Sequence, residues 1–306
     1  MSIDATRRPP LRLRVGRFWA RSPVGLVALV LVFAAMAAAF LGPVVTPHDP
    51  LAHDLENRLE PPSAQHLMGT DNFGRDVLSR VIHGARNSLT VGLVSVAVVT
   101  VLGTLLGVAS ALAGGSVDLI AQRLVDTLIA FPALVLALIM VAAFGPSTAV
   151  VIAAVVVALV PQLMRLARAS CLELQGRDHV LAARSLGASA WRIMVRHILP
   201  HAIPSVLVLA SGFVGKALVL EAALSFLGLG IPPPAPAWGR MIFEGASLYL
   251  ETAPWLTVFP GLALSLVVVA FALLGDALHD QLDPHSQHRA TATTKAQGQA
   301  HGGRQL

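Results

Sequence analysis

The sequence predicts an all-α integral membrane protein with six transmembrane helices, and three observations carry that prediction. The chain has 306 residues, 55% of them hydrophobic and only 13% charged, against a charged share of roughly 25% in soluble proteins. Its mean hydropathy is +0.70, and its apolar residues fall in runs of about 20 or more, the length a helix needs to cross a bilayer core. Its arginines collect in alternate segments between those runs, as they do when positive loops stay cytoplasmic. A single soluble domain with so few charges could not cover its apolar surface. A disordered or nucleic-acid-binding chain is excluded on the same ground, despite a pI of 10.6. The sole cysteine, Cys171, excludes a disulfide framework and any cysteine-based metal site.

The first span runs from Val24 to Val45. The charge-free stretch from Asn87 to Val117 holds the second, Leu89 to Ala113. No charge appears between Asp126 and Arg165, a stretch too long for one helix, and Gly145-Pro146-Ser147 divides it into spans over Leu119–Phe144 and Thr148–Leu166. The fifth covers Ala202–Phe226, interrupted by Lys216 and Glu221, and the sixth Pro254–Gly275. Arg7, Arg8, Arg12, Arg14, Arg17 and Arg21 precede the first span. Arg165, Arg168, Arg177, Arg184, Arg192 and Arg196 lie between the fourth and fifth, whereas the segment after the first span is net acidic. Both termini are therefore expected in the cytoplasm. The expected organisation is a basic N-terminus over 1–23, a first helix over 24–45, an external segment over 46–86 and a five-helix core over 87–276. The core contains a cytoplasmic loop at 168–200, and a polar, unfolded tail covers 277–306. The first span is long for a signal-peptide core and lacks a small-x-small cleavage site after it, so it reads as an uncleaved anchor.

The cytoplasmic loop has a helical pattern. Asp178 is placed to cap a helix over His179–Leu186, and Gly187 to end it in the left-handed conformation. A second helix, Ser189–Leu199, is expected along the membrane surface with Trp191, Met194, Val195 and Ile198 on one face. The first would project as a knob with Ala182 and Ala183 at its centre. Such small side chains let another protein approach the backbone closely; the plainer alternative is an interfacial hairpin.

Leu181-Ala182-Ala183-Arg184-Ser185-Leu186-Gly187, followed by Ile198-Leu199-Pro200, resembles the Glu-Ala-Ala loop of permease subunits of ATP-binding-cassette importers. Four further segments resemble the dipeptide, oligopeptide and nickel branch, specifically the second permease of the pair. They are His66-Leu67-Met68-Gly69-Thr70-Asp71-Asn72-Phe73-Gly74-Arg75-Asp76, Glu221-Ala222-Ala223-Leu224-Ser225-Phe226-Leu227-Gly228-Leu229-Gly230, Trp238-Gly239-Arg240-Met241 and Leu273-Leu274-Gly275-Asp276. The resemblance spans about Phe18 to Pro284. It implies the type I importer permease fold, a bacterial inner-membrane location and transport of short peptides, with nickel chelates or opines as alternatives. It also implies a second homologous permease, two cytoplasmic ATP-binding subunits and an external solute-binding protein as partners.

ATP and magnesium would belong to those partner subunits, since this chain has no Gly-x-x-x-x-Gly-Lys-Ser/Thr phosphate loop and is not expected to be an enzyme. Asp178, Leu181, Ala182, Ala183, Arg184 and Gly187 would form the ATPase-coupling contact. Leu181 stands where the family has glutamate, and so forfeits the capping box that a glutamate would close with Asp178.

Charges inside a membrane need a reason. Arg123, Asp126 and Arg165 read as a structural ion pair near the inner interface. Lys216 and Glu221, about 140° apart around a helix, are not same-face partners, and each is expected to face the bundle interior or the pathway. Gly103 and Gly107 form a Gly-x-x-x-Gly packing pair. Gly69–Asp76 reads as a turn capping a helix near Val77 rather than a calcium loop. Ile231 to Trp238, rich in proline, reads as a rigid rim. Two rival classes fit less well. An intramembrane protease would want a glycine where Leu209 stands before Ala210-Ser211-Gly212, and an ion-coupled transporter would want more spans or an inverted repeat.

Overall fold

The computed structural model describes residues 23–282, and among them every regular element is helical apart from one isolated antiparallel bridge between Thr70 and Asp76. The expectations for the basic N-terminal segment and for the tail beyond residue 282 lie outside the described residues. The helices, in chain order, are α1 Pro23–Val45, α2 Val77–Ala113, α3 Gly115–Ala130, α4 Ala133–Phe144, α5 Thr148–Gln175 and α6 Asp178–Ser185. After these come α7 Ala190–Ile193, a π turn Met194–Ile198, α8 Leu199–Phe226, α9 Trp238–Leu248 and α10 Trp255–Leu282.

Five of these helical stretches are long and apolar enough to cross a membrane alone, α7, the π turn and α8 counting as one, Ala190–Phe226. The third expected span is not one helix: α3 and α4 are apolar enough only together and meet at 90°, as a broken span or a re-entrant loop does. Straight passage over Leu119–Phe144 is therefore corrected, and the reason is Pro132. It lacks the N–H that a continuing helix needs, and it drives Phe131 into extended backbone at φ −84°, ψ 138°. A charge-free run hides such a break, because proline is neutral and tolerated among apolar residues.

Helix ends also depart from the apolar runs. α2 starts at Val77, twelve residues before Leu89 and where the Gly69–Asp76 turn predicts a helix start, so the last part of the external segment 46–86 is helical. At 37 residues the helix is about 55 Å long, well beyond the roughly 30 Å of a bilayer core. Its early turns bury polar side chains, Ser79, Arg80 and Ser88, which a hydropathy count rejects. α5 runs nine residues past Leu166, and α10 continues to Leu282, seven past Gly275, taking up residues assigned to the tail. α9 was not expected at all: it forms within the loop after the fifth span and packs on α10 and α8.

α2 lies along α5, and α8 lies between α2 and α10. Gly103 and Gly107 make the first contact possible. A Cβ on Gly107 would sit 2.4 Å from the Met164 carbonyl oxygen, and one on Gly103 would sit 2.9 Å from Leu163 Cβ. The main core gathers Leu89, Val99, Val151, Leu159, Leu218 and Leu224 from these helices. α1 lies against α2 and α10 but is only lightly embedded, with Phe33 and Phe40 75% and 73% exposed.

Candidate coupling hairpin and pathway face

The hairpin of α6, α7 and the π turn sits at one end of the bundle on its own small core. Val180 packs there with Val108 and Ala111 of α2, Cys171 and Leu174 of α5, and Ile193, Met194 and Ile198. The chain reverses at Gly187, whose φ of +79° a side chain would strain. Gly187 N–H donates to the Arg184 carbonyl (3.0 Å) and Ala188 N–H to the Ala183 carbonyl (3.1 Å), the paired bonds of a Schellman stop.

Three expectations for this hairpin are corrected. Asp178 does not cap: Arg177 holds the N-cap position, and Asp178 is the first helical residue with no side-chain capping bond. Its carboxylate acts only through the helix dipole, and Leu181 falls one position past the place from which a glutamate would close a capping box. Ala183 is buried together with Val180, so it holds the knob down, while Leu181, Ala182, Arg184 and Ser185 are exposed. The second helix leads without a break into α8. The π turn carries more residues per turn than an α-helix, so the expected face splits: Ile193, Met194 and Ile198 turn inward, and Trp191 and Val195 outward.

The most exposed apolar side chain of the hairpin is Leu186, at 88%, a residue the sequence reading passed over as the end of a helix. Periodicity assigns faces, but it cannot tell which end of a short helix protrudes. At the root, the Arg177 guanidinium is 2.9 Å from the Glu173 carboxylate, and Arg184 donates to the Gln175 side chain at 3.4 Å.

Of the three charges assigned to one ion pair, Asp126 and Arg165 do meet, joining α3 to α5. Arg123 is exposed and stands outside that pair. A second pair, missed because Asp118 lies before the charge-free run, is better formed. Arg168 Nε donates to Asp118 Oδ1 at 2.7 Å and Nη2 to Oδ2 at 2.5 Å, a two-pronged bond between the same two helices.

Lys216 and Glu221 diverge, as their spacing requires. Lys216 is exposed, its ammonium 4.7 Å from the centre of the Phe213 ring and 3.4 Å from Gln162 Oε1. It borders a groove of about 280 Å³ that Leu166, Val208, Gly212, Asp276 and His279 also line. Glu221 is fully buried within the bundle. Its Oε1 accepts from Ser225 Oγ at 2.7 Å; Ser88 lies alongside, while Oε2 has no hydrogen bond of normal geometry.

The His66–Asp76 segment builds a cap at the opposite end. Asp71 Oδ1 accepts from the Phe73 and Arg75 N–H groups, and its Oδ2 accepts from Arg75 Nε at 2.7 Å, with Arg80 Nε at 3.4 Å. Asp76 caps α2, its Oδ2 accepting from Ser79 N (2.8 Å) and Ser79 Oγ (2.7 Å). Trp255 Nε1 donates to the Thr70 carbonyl at 3.1 Å and so ties the cap to α10. The Trp238 segment serves likewise: its indole donates to the Val81 carbonyl at 2.9 Å, and Arg240 Nη1 donates to the Ile231 carbonyl at 3.1 Å. These segments hold the structure together at the very places where the sequence resemblance is densest.

The profile of the binding-protein-dependent transport system inner membrane component matches residues 66–288, and that of the N-terminal TM domain of oligopeptide transport permease C matches residues 14–62. The probable D,D-dipeptide transport system permease protein DdpC of Escherichia coli K12 is 39% identical over 86% of this chain and 88% of its own. The glutathione transport system permease protein GsiD of Pectobacterium atrosepticum is 40% identical over 92% and 93%. An inward-facing structure of the MetNI methionine ABC transporter superposes with a TM-score of 0.55 at 18% identity, covering 65% of this chain and 94% of the matched chain, which bears on the fold alone. The chain belongs to the family of binding-protein-dependent transport system inner membrane components.

Proposed function

We propose that this chain is one of two permeases that form the translocation pathway of an ATP-driven importer of short peptides. The hairpin end lies in the cytoplasm, where it receives the force of ATP hydrolysis from two partner subunits. Magnesium and ATP are held by those subunits, and an external solute-binding protein delivers cargo to the cap end. The observation that carries the reading is the hairpin itself. It is a short helix seated on a packed base by Val180 and Ala183, presenting Leu181, Ala182, Arg184 and Leu186 outward. A projection that is firm at its root and bare at its tip transmits displacement instead of absorbing it. The arginines flanking it favour the cytoplasmic side. Peptide cargo is supported by the names of the relatives, which are dipeptide and glutathione permeases.

The test is a charge at the tip. Leu186→Asp removes no packing, because the side chain is already solvent-exposed. The assembled transporter carrying it should keep its subunits and basal ATPase rate yet lose at least about tenfold of peptide uptake in proteoliposomes, the equivalent of 1.4 kcal/mol of coupling. Uptake equal to that of the unmodified transporter would refute the assignment of this hairpin.

A further inference from the structure

At the cap end, away from both the hairpin and the groove at Lys216, two imidazoles converge on one carboxylate oxygen. His66 Nδ1 lies 2.9 Å and His48 Nδ1 3.8 Å from Asp76 Oδ1, and the candidate ligand atoms of all three residues fall within 4.8 Å of one another. The rings are tilted by 35° with centroids 4.8 Å apart, so they are not stacked; what they share is the oxygen. The Asp76 side chain is 1% exposed, and among the described residues no lysine or arginine pairs with it. Its other oxygen is committed to Ser79. The buried carboxylate therefore meets a helix N-terminus, a hydroxyl and two imidazoles, and lacks a fixed positive charge.

We infer that His48, His66 and Asp76 form a site for a borderline divalent cation of the zinc type. Ligands about 2.0–2.1 Å from a tetrahedral ion stand roughly 3.3 Å apart; the two separations to Asp76, 2.9 and 3.8 Å, bracket that value, and all three ligand atoms lie within 4.8 Å of one another. Two nitrogens and one carboxylate oxygen suit zinc or cobalt, whereas calcium and magnesium require oxygens throughout. Coordination through Nδ1 would leave the His66 ring proton on Nε2. All three residues line a cavity of about 410 Å³, together with Asp49 and Asp54, which leaves room for a water ligand.

The three ligands come from separate parts of the chain. His48 follows α1, His66 lies in the cap loop, and Asp76 begins α2. The ion would fasten the exit of the lightly packed first helix onto the long second one, where His48 N–H already donates to Ser79 Oγ at 3.3 Å. This site does not depend on the transport reading.

The experiment is a cobalt(II) and zinc(II) titration of the full-length chain in detergent after chelation, with whatever subunits copurify. His48→Ala is the diagnostic variant: His48 is 42% exposed, and its loss leaves the His66–Asp76 bond in place. His53→Ala, whose ring lies against Phe73 at 5.4 Å, is the neighbouring control. The unmodified chain and His53→Ala should bind one more ion per chain than His48→Ala, or bind it at least about tenfold more tightly. Their cobalt forms should show the visible absorption of a tetrahedral ion, and zinc should raise their unfolding temperature but not that of His48→Ala. Equal stoichiometry and affinity in the unmodified chain and His48→Ala would overturn the site. Because His48→Ala is not expected to alter the hairpin, its failure leaves the coupling assignment intact.

Discussion

Glu221 is a carboxyl side chain buried in the middle of the bundle, on α8. Its position inside a span marks it as exceptional, and its burial follows from the cost of leaving a carboxyl against lipid. Its actual neighbours, Ser225 four residues on and Ser88 from α2, are a tertiary fact. Glutamine has the same shape and an oxygen that can keep the 2.7 Å contact with Ser225 Oγ, so Glu221→Gln should unfold no earlier than the parent. Glu221→Leu strands the two serines and should cost about 1–3 kcal/mol, read as a lower unfolding temperature in the same detergent. The same limit applies at Asp178 and Ala183. The sequence marks both as members of a knob, but only the backbone shows that one is the first helical residue and the other faces inward. Charge partners are equally opaque: Asp118 and Arg168 are 50 residues apart, and nothing local announces their bond.

Among the elements, the spans were legible wherever charge disappears, because exclusion of charge is the physical requirement for crossing a bilayer. Apart from the start of α2 at Val77, the ends were not legible, since helices here continue into regions where polar side chains are buried by other protein. Nor was the break at Pro132, whose effect depends on whether neighbours hold the helix bent. Gly103 and Gly107 announce a close helix contact but not its partner, α5, and the contact yields a sharp comparison. Gly107→Val forces a side chain against the Met164 carbonyl and should lower stability by about 1–3 kcal/mol. Gly212, with open space around it and no left-handed backbone, should accept alanine with a gain of up to about 1 kcal/mol, as glycine in a helix interior is unfavourable. Both are measured by thermal unfolding of the detergent-purified chain. If Gly107→Val proved as stable as the parent, the close approach of these helices would be wrong.

Taken as a whole, the molecule is a bundle with two differently built ends, a hydrogen-bonded cap and a small hairpin, and with wide apolar flanks between them. The bundle class was readable from composition, because no soluble arrangement could hide so much apolar surface. The cap was readable only at its last turn, where Gly69–Asp76 announces the helix at Val77; the rest was not, because its order comes from carboxylates gripping backbone N–H groups within a segment that looks like a polar loop. Labelling tests the arrangement. Replaced singly by cysteine, Leu186 should react with a membrane-impermeant maleimide in inside-out vesicles and stay unreactive in right-side-out ones. Leu67, 64% exposed on the cap, should show the reverse, and Phe33 should resist the reagent from both sides. The native Cys171 is fully buried and should contribute little background.

α2 is capped by Asp76 at the cap end, and its last turns, with Val108 and Ala111, lie in the hairpin core. Across its 37 residues it has no proline and no break. A beam of that kind cannot shorten, so pushing on its foot must swing or slide its head. Events at the two faces of the membrane are thereby geared together by one stiff shaft, and a graft of Pro-Gly midway along it would work as a clutch.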